Sequence, residues 1–95
     1  MKFIQLFIIL VAIHLTVNAQ QITVYLAGDF NDWNSTENEF VKHADGLWRA
    51  EMSNLPCGQY QYKFIINAAI WKEDPSNSMK EEDSFGGFNS ILMIA

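Results

Sequence analysis

At 95 residues the chain has room for one small domain, and its six Lys and Arg against eleven Asp and Glu leave a formal charge of −5, which argues against a nucleic-acid or anionic-membrane surface built on clustered cations. A single cysteine, Cys57, excludes an internal disulfide. A core of this size gives modest stability and leaves little room for a buried active-site cavity.

The chain begins with Lys2 ahead of an apolar run over residues 3–17, broken only by Gln5, His14 and Thr16, and Val17-Asn18-Ala19 then has the outline of a cleavage site. This is the pattern of a secretory signal peptide, and the run is shorter than the roughly 20 residues of a spanning helix. The expected organisation is a leader over residues 1–19 and one domain over residues 20–95, exported to the periplasm or secreted, with no membrane insertion once the leader is cut. Cys57 reads as a small buried hydrophobe rather than a reactive thiol.

Residues 22–26 alternate as a β-strand does. Gly28-Asp29-Phe30-Asn31-Asp32 follows as a turn and carries Trp33 out of the sheet. After a polar connection over residues 34–39, residues 40–42 form a short candidate strand. Asp45-Gly46 is a turn, and residues 47–52 place Trp48, Ala50 and Met52 opposite the charged Arg49 and Glu51, which predicts a strand with one wet face and Trp48 in the core. Leu55-Pro56-Cys57-Gly58 breaks the pattern. Residues 60–66 then make the best strand, with Tyr60, Tyr62, Phe64 and Ile66 on one face and Gln61, Lys63 and Ile65 on a mixed face suited to a working surface. Asn67-Ala68-Ala69 connects to Ile70-Trp71, residues 80–83 are charged with little apolar content, and residues 90–94 are the last strand. No helix of useful length and no repeat is expected. Short strands at roughly ten-residue spacing predict an all-β fold, a small antiparallel β-sandwich.

Asp29 and Asp32 are a carboxylate pair of the kind a glycosidase uses, but in an Asn-rich turn their expected task is bonding nearby backbone N–H groups. His43 has no Cys, Asp or second His at ligand spacing, and no Gly-rich loop opens a helix, so neither a metal nor a phosphate-bearing cofactor is indicated. Trp33, Trp71 and Lys63 are the residues that invite a ligand. The C–H face of a pyranose lies flat on an indole while Lys and Asn bond hydroxyls at its edge.

The segments Val24-Tyr25-Leu26-Ala27-Gly28-Asp29-Phe30-Asn31-Asp32-Trp33, Gly46-Leu47-Trp48, Leu55-Pro56-Cys57-Gly58-Gln59-Tyr60-Gln61-Tyr62-Lys63-Phe64, Trp71, Asp74-Pro75 and Asn89-Ser90 resemble, in order and spacing, the glycogen-binding domains of family 48 carbohydrate-binding modules. Those occur in the β subunit of AMP-activated protein kinase and at the N-termini of isoamylases and branching enzymes. The resemblance implies an immunoglobulin-like β-sandwich that binds α-1,4-linked glucans without catalysis. It implies stacking by Trp33 and Trp71, hydrogen bonds from Lys63 and Asn89, and a bulky residue, Phe85, that reaches into the glucan coil. Two departures stand out: the hairpin at Asn67-Ala68-Ala69 lacks the usual Gly and is one residue longer, and Gly87 stands where a hydroxyl residue is common. Such departures keep a second reading open, in which the fold has lost the sugar and contacts a partner protein or a glucan-active enzyme. A remnant of a larger enzyme is a third.

Overall fold

The computed structural model describes residues 3–8, 22–53 and 55–95, with the side chains of 22–52 and 55–95. The expected cleavage site and the leader outside Phe3–Ile8 lie beyond the described residues. Phe3–Ile8 itself is a strand, β1, followed by β2 (Val24–Gly28), a single 3-10 turn (Asp29–Asn31), β3 (Asn38–Glu39), β4 (Val41–Lys42), β5 (Trp48–Ser53), β6 (Gly58–Ile66), β7 (Ile70–Lys72), β8 (Lys80–Glu82) and β9 (Phe88–Ile94). One sheet has the order β1-β5-β4, and the other β3-β2-β6-β9-β8 with β7 also on β6; every pairing is antiparallel. No helix among the described residues is long and apolar enough to cross a membrane.

The alternation of β6 decides the layering. Tyr62, Phe64 and Ile66 point inward and are at most 5% exposed, and with Val24 and Leu26 of β2 they meet Ala50 and Met52 of the other sheet. Phe40 lies where the chain leaves one sheet for the other. β3 pairs with β2, β4 pairs with β5, and between them the Phe40 N–H donates to Val24 O at 2.8 Å while its ring meets Phe64 edge-on at 5.4 Å. The reading of residues 40–42 as one strand is therefore corrected, because Phe40 is the corner and its side chain the plug. Trp48 packs against this core as expected.

Polar groups inside are paired. Burial pushes the Tyr62 phenol well above its ordinary range, so it remains a neutral donor to Asp74 Oδ2 at 2.7 Å; Asp74 N–H donates to Ser90 Oγ at 2.7 Å, and Asn77 Nδ2 donates to Tyr62 Oη and Ile91 O. This network seats the 74–79 segment on the middle of β6 and the first half of β9. Cys57 is exposed rather than buried. The turn before β6 sends Leu55, not Cys57, against the core.

Candidate functional site

The outer face of β6 is the floor of an open cleft of about 640 Å³, within the usual range for ligand clefts. Trp33, Lys63, Trp71, Phe85 and Asn89 all line it, and they are joined by Asp29, Gln61 and Asp83. Strand pairing explains the convergence. β6 pairs with β2 along one edge through residues 62–66, while on the opposite edge its first half pairs with β9 and its last three residues with β7. Lys63 faces the gap where the partner changes. Trp33 arrives from the β2 edge, Trp71 from β7, and Phe85 and Asn89 from the β8–β9 end.

The wall at Trp33 is a turn closed on itself. Asn31 Oδ1 accepts from Gly28 N at 3.0 Å, its Nδ2 donates to Leu26 O and Asn38 Oδ1, and Trp33 N donates to Gly28 O at 2.9 Å. Gly28 is obligatory for steric reasons, since a β-carbon there would collide with the Gln61 carbonyl oxygen and the Phe30 ring. Asp32 and Trp33 take φ of 53° and 58°, an uncommon conformation for a bulky residue. Asp29 has a role that differs from the expected one. It leaves the backbone of its own turn to Asn31 and instead accepts from Trp33 Nε1 at 3.1 Å through Oδ1 and from Gln61 N at 2.8 Å through Oδ2. The one polar donor of the indole is thereby committed, and the ring is half-buried.

The hairpin before Trp71 reaches a tight-turn geometry without glycine. Asn67 and Ala68 hold φ of 53° and 58°, the pair of positive values that a type I′ turn demands, and Ala69 N donates to Ile66 O. Asn67 is tied to Thr23 twice, through its N–H to Thr23 O at 2.8 Å and through Oδ1 from Thr23 N at 3.2 Å. Trp71 then stands opposite buried Ile65 and is 47% exposed.

At the other end Lys63 Nζ forms an ion pair with Asp83 Oδ2, the two side chains being 16% and 5% exposed. Asp83 Oδ1 also accepts from Phe85 N at 2.8 Å and Gly87 N at 3.0 Å. The Lys63 hydrogen bond and these two N–H groups hold its carboxyl down at about 2. Phe85, at the tip of this loop, is 93% exposed. Asn89 Nδ2 donates to Gln61 Oε1 at 2.9 Å and Gln61 Nε2 donates to Glu81 Oε2, which fixes the polar floor. Lys63 is the cation of a lining that also holds the carboxylates of Asp29 and Asp83, a balance that disfavours anionic ligands and suits a neutral molecule with hydroxyls and flat apolar faces.

Asp29 and Gln61 are expected as a turn-former and as part of the outer face of β6, but their bonds to one another and to Glu81, and the ion pair of Asp83 with Lys63, escape a sequence reading because these partners lie 20 to 32 residues apart. The only available clue was that Gln61 shares the outer face of β6 with Lys63. No curated protein matches the chain. The family model described as the glycogen recognition site of AMP-activated protein kinase matches residues 11–95, beginning within the span expected to be the leader. With a match over most of its length and the expected β-sandwich beneath it, the chain belongs to this glycogen-recognition family of carbohydrate-binding modules.

Proposed function

We propose that the domain binds α-1,4-linked glucans such as glycogen, starch or malto-oligosaccharides, with no catalysis of its own, by stacking glucose units on Trp33 and Trp71 while Lys63 and Asn89 bond their hydroxyls. The observation that carries this reading is the convergence of two partly exposed indoles from opposite edges of β6 onto one cleft that also holds Lys63 and Asn89. Rings already held by Asp29 and by the Asn67 hairpin need little ordering on binding. Phe85, almost wholly exposed at the rim, meets a further sugar of the chain in this reading.

Affinity electrophoresis tests this directly. The wild type is expected to be retarded in a native gel containing glycogen, and Trp71→Ala to migrate freely while keeping its fold by circular dichroism. Equal migration of the wild type with and without glycogen would contradict the proposal. A protein-interaction role is the second reading, favoured by the outward Phe85, Met93 and Met79; a stoichiometric protein partner that competes for Trp33 and Trp71, with no glucan binding, would select it.

Export completes the proposal. Cleavage after Ala19 would also remove β1 from its place beside β5. Mass spectrometry of the mature protein is expected to find Gln20 at its N-terminus, and retention of residues 3–8 would contradict export by this route.

A further inference from the structure

Asp83 occupies a singular position between the cleft and its rim. Its carboxylate is almost wholly enclosed, and it makes contacts of two kinds: one oxygen faces Lys63 on the floor, and the other gathers the N–H groups of Phe85 and Gly87. Asp83 N donates in turn to Gly87 O at 3.1 Å, which closes the loop on itself. Inside that loop Ser84 and Gly86 take φ of 69° and 88°. Ser84 is in a region that a non-glycine residue adopts at some cost unless it is held there.

Gly87 belongs to the same device. A β-carbon on it would sit 3.0 Å from Asp83 Oδ2, closer than ordinary contact. A side chain at residue 87 would press on the oxygen that faces Lys63, and the bare backbone of Gly87 leaves the Asp83 carboxylate its place there.

The geometry points to Asp83 as a positioning residue that couples Lys63 to Phe85, so that the cation of the floor and the aromatic of the rim are presented to a glucan as one unit. The coupling rests on the glucan reading for its effect on binding, but not for its effect on the loop. With Asp83 removed, the N–H groups of Phe85 and Gly87 lose their acceptor, Ser84 is released from its conformation, and Phe85 no longer has a defined place relative to Trp33 and Trp71. Lys63 loses its anchor in the same step. An Asn at residue 83 keeps a carbonyl oxygen for the two N–H groups, while its Nδ2 donor faces Lys63 and both the ion pair and the Lys63 hydrogen bond are lost.

The test has two arms on the full-length protein. In hydrogen exchange followed by NMR, the amides of Phe85 and Gly87 are expected to be protected in the wild type and in Asp83→Asn and to exchange rapidly in Asp83→Ala, without glucan present. In a double-mutant cycle read by maltoheptaose titration, Phe85→Ala is expected to weaken binding about tenfold in the wild type and less than about twofold in the Asp83→Ala background, since non-additivity of that size marks coupled residues. A thermal melt accompanies each variant, and loss of overall stability alone would leave the Phe85 effect undiminished. Equal factors for Phe85→Ala in both backgrounds, or unchanged protection in Asp83→Ala, would overturn the inference. If the wild type binds no maltoheptaose, the functional reading fails by itself, and the exchange arm alone decides the role of Asp83.

Discussion

The two faces of β6 are built from neighbouring residues and held by different physics. Inward, Tyr62, Phe64 and Ile66 are fixed by burial against both sheets, a force that is strong, non-directional and tolerant of small shifts. Outward, Gln61 and Lys63 are fixed by directed bonds to Asp29, Glu81, Asn89 and Asp83, which all come from outside the strand. The inner face answers for stability, and the outer face answers for where Trp33 and the loop of Phe85 stand. Substitutions should separate the two properties accordingly.

The largest effect is expected on the inner face. Phe64→Ala removes a ring packed edge-on against Phe40 and tilted against Tyr62, and a loss of about 3–5 kcal/mol is expected in urea unfolding, enough to leave a domain of this size largely unfolded. A loss under about 1 kcal/mol would mean that the two sheets do not pack through this residue. Asp74→Ala should come next. It takes the acceptor from the buried Tyr62 hydroxyl, at about 1–3 kcal/mol for the group left unpaired, and the same urea unfolding would register it.

Backbone strain gives a change of opposite sign. Ala68 sits at φ 58° with its side chain exposed, so Ala68→Gly should stabilise the protein by about 1 kcal/mol, the left-handed penalty of a non-glycine residue being about 1–2 kcal/mol before glycine's own entropy is set against it. Unchanged or lowered stability would show that the hairpin is not strained there. Glucan affinity should hold, because Asn67 keeps its two bonds to Thr23.

The subtlest effect lies in the response to acid. Asp83 is held at about 2 by Lys63 and two backbone N–H groups, below the roughly 3.9 of an unfolded Asp. Its charge therefore adds stability that is present in full above about pH 4 and fades as pH falls towards about 2. The difference in urea midpoint between the wild type and Asp83→Asn should stay constant from neutral pH down to about pH 5 and then narrow. A difference that persists unchanged to about pH 2 would contradict the ion pair.

Much of the fold could be read from alternation, and the exceptions have physical reasons. β5 buries Ala50 and Met52 and β6 buries Tyr62, Phe64 and Ile66 at alternate positions, so period two is written into their residues, whereas β2 and the final strand were legible as apolar β-rich runs. β8 was invisible because Lys80-Glu81-Glu82 is an exposed edge strand, and charge on an edge is protection against unwanted pairing rather than a sign of loop. β3 is only two residues long and polar. Cys57 was misread because burial is a statistical habit of the residue, whereas here Pro56 and Gly58 leave it outside the packed strands. Of the cleft, Trp33, Trp71 and Lys63 were legible as types, and Phe85 and Asn89 through the family resemblance, but the carboxylate contacts that hold Trp33, Lys63 and the Phe85 loop were not. Asp29 looks like any Asp in a turn until Gln61 is brought beside it.

The most direct test uses the placement of the three tryptophans, since Trp33 and Trp71 line the cleft while Trp48 packs against the core. Intrinsic fluorescence during a maltoheptaose titration is expected to change saturably in the wild type, to change as much in Trp48→Phe, and to lose most of its amplitude in the double variant Trp33→Phe, Trp71→Phe. A signal that survives in that double variant, or a wild type that gives no saturable change, would contradict the claim that these two rings are the sugar platform.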